Sequence, residues 1–398
     1  MTAIVAAAAP AAGARLERLP PLALYVHIPW CVRKCPYCDF NSHQVRGDVP
    51  EAAYADALVS DLEQSLPDVW GRRVGSVFFG GGTPSLFSAE AIGTLISAFR
   101  ARLPIGPDCE VTLEANPGTF EAEKFRGYRD AGVTRLSIGI QSFDPRHLRA
   151  LGRIHDDAEA RRAIAIAREH FANVNLDLMY ALPGQTPDEA RADVQAALAA
   201  DVAHLSFYHL TIEPNTHFHR HPPALPDEDA SAAIQDAVGE ALERAGYCHY
   251  ETSAWARPGR ECRHNLNYWR FGDYLGIGAG AHSKLSFPDR VARSARWKQP
   301  REYLERVGEG RPVQESHDIG RADLVFEFMM NALRLTEGFP ASLLAERTGA
   351  QIALAEKALA VAEARGLIVR SHELIAPSAL GRRFLNDLLQ LFLPVRAS

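Results

Sequence analysis

Tyr25-Val26-His27-Ile28-Pro29-Trp30-Cys31-Val32-Arg33-Lys34-Cys35-Pro36-Tyr37-Cys38-Asp39-Phe40 decides how this chain is read. Cys31, Cys35 and Cys38 are spaced C-x3-C-x2-C. They follow a short apolar run, Leu22 to Ile28, that reads as a strand ended by Pro29. Three thiolates fall one short of a closed tetrahedral zinc site. They suit a [4Fe–4S] cluster whose fourth iron stays open to another ligand. The cysteines therefore belong on the loop after a first strand.

Outward from that loop, the pattern repeats. Val74 to Phe79, Glu110 to Glu114, Arg135 to Ile140, Val174 to Met179 and His204 to Leu210 read as strands. Pro50 to Leu66, Ala89 to Leu103, Phe120 to Ala131, Ala158 to Phe171 and Pro187 to Ala200 carry apolar residues at helical spacing, as does Asp227 to Ala245. Strands alternating with helices predict parallel βα units, in an open doubly wound sheet or in a barrel. Either architecture places ligands beyond the carboxyl ends of the strands.

Four motifs are expected at those ends. Gly80-Gly81-Gly82-Thr83-Pro84 follows the second strand, where glycines let a ligand approach backbone groups closely. Glu114 ends the third strand, before Asn116-Pro117-Gly118, and its carboxylate can accept from a ribose or an amino group. Gln141 follows the fourth strand and Asp177 lies inside the fifth. An Asp in an apolar strand needs a partner. Arg153 could supply it, as a structural ion pair or beside a ligand.

The cysteine spacing, with an aromatic before the third cysteine, resembles the signature of the radical S-adenosylmethionine (SAM) enzymes. The resemblance implies an α/β fold, a partial (β/α)6 barrel of TIM type. It also implies that the open iron takes the amino and carboxylate groups of SAM. Gly81, Gly82 and Thr83 would hold the SAM amino group, and Tyr25, Glu114, Gln141, Arg153 and Asp177 would complete the SAM site. Together these residues resemble the oxygen-independent coproporphyrinogen III oxidase group of that family, from about Pro21 to Leu393. In that group the true oxidases carry a fourth cysteine two residues after the third, and a longer segment ahead of the cluster. Here Phe40 stands at that position and 30 residues precede Cys31. Both departures resemble a sister group of heme chaperones.

His264-Asn265-Leu266-Asn267-Tyr268-Trp269 looks like the H-N-x-x-Y-W motif of that sister group, implicated there in heme binding. An imidazole can ligate heme iron, and Tyr and Trp offer flat apolar faces to a porphyrin. His264, Asn265, Tyr268 and Trp269 are thus the candidate heme contacts. The function implied is a heme chaperone that holds a [4Fe–4S] cluster, SAM and heme and delivers heme to respiratory apo-enzymes. Homodimerisation or transient membrane association would go with it. The alternative is the oxidase reaction, in which a SAM-derived radical converts propionates of coproporphyrinogen III to vinyl groups with loss of CO2.

The composition accommodates both readings. Of 398 residues, 47% are hydrophobic and 23% charged, as in a globular protein with a sizeable core. A net charge of −6 gives no general affinity for nucleic acid. Six cysteines could make three disulfides in a short secreted chain, but a cluster triad implies a reducing, cytoplasmic setting. No apolar run is long enough to span a membrane. Residues 1–19 lack the basic start and long apolar core of a secretory signal and are expected to form a disordered tail. Residues 20–245 form the core barrel, and 246–300 an extension that includes a polar, aromatic, glycine-rich functional loop, Arg257 to Ser286. Residues 301–398 form a small helical domain, winged-helix-like because helices precede a hairpin near 366–375, with no basic recognition helix. His217, His219 and His221 are expected on a solvated loop. Cys248 and Cys262, which could make a metal site with His264, have 13 residues between them and match no common zinc spacing.

Overall fold

The computed structural model describes residues 16–119 and 122–394. Most of the expected tail, residues 1–15, lies outside the described residues. Leu16 is already buried, and its N–H donates to the Pro288 carbonyl at 3.0 Å.

The expected βα units are present. Strands β1 (Leu22–Ile28), β2 (Val74–Gly81), β3 (Ile105–Ala115), β4 (Arg135–Gln141), β5 (Val174–Tyr180) and β6 (His204–His209) pair in parallel in that order. Helices α1 (Glu51–Val69), α2 (Ala89–Arg102), α3 (Ala122–Ala131), α4 (Asp157–His170) and α5 (Pro187–Ala199) make the crossovers, and α6 (Glu228–Arg244) follows β6. Ser88, Asp156 and Thr186 cap α2, α4 and α5 with side-chain oxygens, which satisfies otherwise unpaired N–H groups of the first turn.

Six more strands enlarge this sheet. β7 (Cys248–Glu251) and β8 (Ala254–Ala256) add antiparallel strands beyond β6. At the other edge β9 (Asp273–Ile277) runs parallel to β1, followed antiparallel by β10 (His282–Ser286), β11 (Val291–Arg296) and β12 (Val313–Asp318). The twelve-stranded sheet ends in β12 on one side and β7 on the other, so the barrel is incomplete.

The run expected as a functional loop, Arg257 to Ser286, is instead helix α7 (Arg263–Trp269), β9 and β10. Its polar composition is accounted for by buried pairing. Asp273, on β9, is fully buried and receives Lys284 Nζ at 3.0 Å and Arg72 Nη2 at 2.7 Å. His217 to Arg220 is a short helix rather than a loop. The sheet continues past residue 301 through β12. A separate apolar core then begins at α8 (Arg321–Ala332), around Phe328, Met329, Leu344, Leu359 and Ile375. This C-terminal unit is α+β, with α9 (Leu343–Thr348), further helices and a three-stranded sheet made of Phe339–Pro340, Ile368–Arg370 and Leu374–Pro377. No helix among the described residues is long and apolar enough to cross a membrane.

The strands obey a period of two. Leu24, Val26, Val77, Phe79, Val111, Leu113, Leu136, Ile138, Leu176 and Leu178 face the helices and form the main core. Alternate positions carry Ser76, Glu110, Glu114, Arg135, Ser137, Asn175, Asp177, His204 and Ser206. These polar residues fill the barrel interior, where hydrogen bonds join them from strand to strand. Asn175 Nδ2 donates to Ser137 Oγ at 2.7 Å and to Asp177 Oδ1 at 2.8 Å. His204 donates from Nδ1 to Asn175 Oδ1 at 2.6 Å and accepts from the Tyr250 hydroxyl at 2.8 Å. Burial keeps that imidazole neutral.

Candidate functional site

The carboxyl ends of the parallel strands enclose a cavity of about 400 Å³. Cys31, Cys35 and Cys38 line one side. Gly81, Gly82, Thr83 and Glu114 line the floor, with Gln141, Arg153 and Asp177 beyond them. Ten of the residues expected from sequence thus converge on one mouth.

The cysteine loop is braced. Trp30–Cys31 pairs with His43–Gln44, and Cys38 N–H closes a turn onto Cys35 O at 3.2 Å. Lys34 Nζ donates to the carbonyls of Phe40 and Ser42 at 3.1 and 3.2 Å. Burial pushes the Cys31 thiol up to about 11, against a hydrogen bond with Thr83; Cys38 is raised by burial too. Such thiols stay protonated until a metal displaces the protons. The donor set fits an iron–sulfur cluster. The three sulfurs do not meet within 4.8 Å of one another, whereas the buried His147 and the half-buried Asp144 and Glu189 do so, with Arg146 paired to Glu189. All six cysteines are free thiols.

The glycine run lies close against β1. Gly81 has φ +112°, and a Cβ there would clash with the His27 ring; one on Gly82 would sit 2.5 Å from the Trp30 carbonyl. Gly81 N–H donates to Glu114 Oε2 at 3.1 Å. The Glu114 carboxyl is raised to about 8, first by burial and then by the Asp177 carboxylate, while the Gly81 N–H opposes the shift. Asp177 is also raised by burial, against donors from Ser137 (2.8 Å) and Asn175. Gln141 holds φ +70°, an uncommon conformation for a residue with a side chain, at the end of β4.

Arg153 does not pair with Asp177. Its Nη2 donates to Asn116 Oδ1 at 2.5 Å and to the Gly139 carbonyl at 2.7 Å, and its Nη1 to Cys35 Sγ at 3.5 Å. Asn116 in turn donates to Thr83 Oγ1 at 2.8 Å. Arginine, amide and hydroxyl so link the cysteine loop to the glycine run. The cation near Asp177 is the buried Arg135, one β strand away.

Tyr25 lies beneath the cavity rather than in its lining. Its hydroxyl donates to His27 Nδ1 at 3.0 Å, and His27 Nε2 donates to the Asn41 carbonyl at 2.9 Å. Burial lowers His27 to about 4, so it is neutral. Sequence reasoning missed His27, Asn116, Met179 and Tyr208. Asn116 announced itself in the Asn-Pro-Gly break, and Met179 and Tyr208 fall at inward positions of β5 and β6.

His264, Asn265, Tyr268 and Trp269 lie on α7, at the opposite end of the barrel. His264 is buried, with Nδ1 3.1 Å from Ser76 Oγ and its ring 4.8 Å from Phe78. Tyr268 stacks on Tyr274 at 4.3 Å, and Trp269 lies under the Arg334 guanidinium at 4.3 Å. Asn265 lies 3.4 Å from Cys262 Sγ. None of the four lines the mouth cavity.

The Radical SAM superfamily matches residues 25–197, and the HemN C-terminal domain matches 319–384. The chain is 48% identical over 380 residues to Heme chaperone HemW of Escherichia coli (strain K12), covering 95% of this chain and 100% of the relative. It is 46% identical over 384 residues to Heme chaperone HemW of Haemophilus influenzae, covering 95% and 99%. Among solved structures, coproporphyrinogen III oxidase (HemN) from Escherichia coli aligns with a TM-score of 0.80 at 24% identity, covering 94% of this chain and 90% of that one. That likeness is one of fold.

Proposed function

Because the chain belongs to the radical SAM superfamily and, within it, to the heme chaperone HemW family, we propose that it is a heme chaperone that carries a [4Fe–4S] cluster and SAM at the barrel mouth. One observation carries this reading: the three cysteines, the glycine run, Glu114, Gln141, Arg153 and Asp177 line a single cavity. Cys31, Cys35 and Cys38 would hold the cluster. When bound, it would leave one iron open to SAM. Gly81, Gly82 and Thr83 would present backbone groups to the SAM amino acid moiety, with Glu114 and Asp177 as acceptors. Tyr25 acts through His27, which holds Gly81 in place. Heme would be received and passed to heme-requiring respiratory apo-proteins in the cytoplasm, with a homodimer or transient membrane contact as the setting for transfer.

Phe40, 61% exposed beside Cys38, occupies the position of the oxidases' additional cysteine, which argues against coproporphyrinogen turnover. The test is anaerobic reconstitution with iron and sulfide, followed by heme titration, transfer of heme to an apo-cytochrome, and incubation with coproporphyrinogen III, SAM and reductant. Heme binding and transfer without porphyrinogen conversion is the expected result. Formation of protoporphyrinogen would overturn the chaperone reading in favour of the oxidase. Replacing each of the three cysteines with Ala should abolish the iron–sulfur absorbance.

A further inference from the structure

A second cavity, of about 380 Å³, opens at the amino-terminal end of the barrel, away from the cysteines. One wall is the outer face of α7. Arg263, Leu266, Asn267 and Arg270 recur there at spacings of three and four, the residues that share a helix face. His264 and Tyr268 point the other way, into the barrel. The opposite wall is Leu22 and Val74 with Arg73, and Arg347 enters from α9 of the C-terminal unit.

The charges do not balance. Four guanidiniums line the cavity against a single carboxylate, Asp108, which is already bound to Arg73 Nη2 at 2.5 Å. Neither Arg270 nor Arg347 has a carboxylate partner among the ion pairs of the described residues. Arg347 Nε is buried without a hydrogen-bond partner. Burial lowers the Arg347 guanidinium; Glu346 and Asp273 work against the shift, and Arg270 adds to it. Two neighbouring guanidiniums at an apolar-walled cavity suit an anion with paired oxygens, which arginine holds bidentately.

We propose that Arg270 and Arg347 anchor the propionate carboxylates of heme at this cavity, with Leu22, Val74 and Leu266 against the edge of the macrocycle. The proposal rests on the heme-binding reading above. It puts the heme edge on the solvent-facing side of the helix whose inner face carries His264. The shared chemistry, paired anionic oxygens, could also come from inorganic phosphate, so the test separates the two.

Full-length reconstituted protein is titrated with heme, with heme dimethyl ester and with inorganic phosphate. Wild type, Arg270→Gln, Arg347→Gln and the double variant are compared by absorbance for the porphyrins and by calorimetry for phosphate. Each single variant should weaken heme binding about tenfold, with iron content and melting temperature unchanged. The dimethyl ester should bind all four proteins equally, and more weakly than heme binds wild type. Unchanged heme affinity in the double variant would overturn the proposal while leaving the chaperone reading standing. So would phosphate binding that Arg347→Gln abolishes without any change in heme affinity. Failure of the wild type to bind heme would overturn both.

Discussion

The backbone N–H of Gly81 donates to Oε2 of Glu114 across 3.1 Å, tying the end of β2 to the end of β3 on the floor of the mouth cavity. This carboxyl is held at about 8, against an ordinary 4.5. Between those values the folded protein keeps a proton that the unfolded chain releases. Unfolding free energy therefore falls as pH rises through the window, by up to about 1.4 kcal/mol per pH unit for one proton. The contribution is fully present below 4.5 and lost by about 8. Glu114→Gln keeps an acceptor for Gly81 and removes the titration. The stability of wild type relative to Glu114→Gln is expected to decline steadily from about pH 5 to pH 8 in thermal melts. Parallel curves would show that Glu114 ionises at an ordinary pH.

Gly81 is expected to tolerate no side chain. Its φ of +112° is unfavourable for any L-residue, and the His27 ring that a Cβ would strike is held on both sides by Tyr25 and Asn41. Gly184 offers a control, with φ +66° and nothing within 4 Å. Gly184→Ala should cost only the backbone term, about 1–2 kcal/mol. Gly81→Ala adds overpacking of about 1–3 kcal/mol and should reduce SAM binding in equilibrium dialysis. Equal losses in chemical denaturation would remove the packing argument.

Arg153 spans three partners, and its planar fork is what lets it do so. Arg153→Lys keeps the charge but cannot reach Asn116, the Gly139 carbonyl and Cys35 Sγ together. Both Arg153→Lys and Arg153→Gln are expected to lower stability by about 1–3 kcal/mol, since buried acceptors lose their donor. Both should also retain less iron per chain after reconstitution and gel filtration. Full iron retention in the Lys variant would assign the role to charge alone.

The βα alternation and the mouth were legible because local pattern carries them: apolar runs, a proline break and cysteine spacing all act within a few residues. What stayed hidden depended on pairing between distant segments. Asp273 to Ile277 falls within a polar, aromatic, glycine-rich run that reads as loop, yet Arg72, 201 residues away, neutralises the Asp273 charge inside the fold. Arg153 and Asp177 were both legible as buried charges, but their partners follow from strand register. β4 places Gly139 opposite Asp177, with Ser137 beside it. The inward polar series was readable in principle, since Arg135 and Ser137, Asn175 and Asp177, and His204 and Ser206 each sit two apart on a strand. The motif at 264–269 gave spacing without saying which end of the barrel it would occupy.

His264 is enclosed by Phe78, Tyr25 and Tyr268, and burial lowers its pKa to about 3. It is neutral near pH 7, so protonation would not hinder ligation, but the ring also serves the fold. His264→Ala should cost about 2–4 kcal/mol in heme-free protein through the cavity it leaves. The sign of the pH effect follows from the lowered pKa. The unfolded chain takes up a proton near the ordinary 6.5 and the folded protein does not. Stability is therefore fully present above 6.5 and falls as pH drops toward 3. Several other buried histidines shift the same way, so only the difference between variants is diagnostic. His264→Phe keeps a ring against Phe78 and removes this titration, and wild type should lose stability relative to it between about pH 6.5 and 4.5 in thermal melts. Lost heme absorbance in His264→Ala counts as evidence for a heme ligand only when His264→Phe, folded by the same melts, loses it too. Retention of heme by His264→Phe would assign His264 to the packing of the barrel floor.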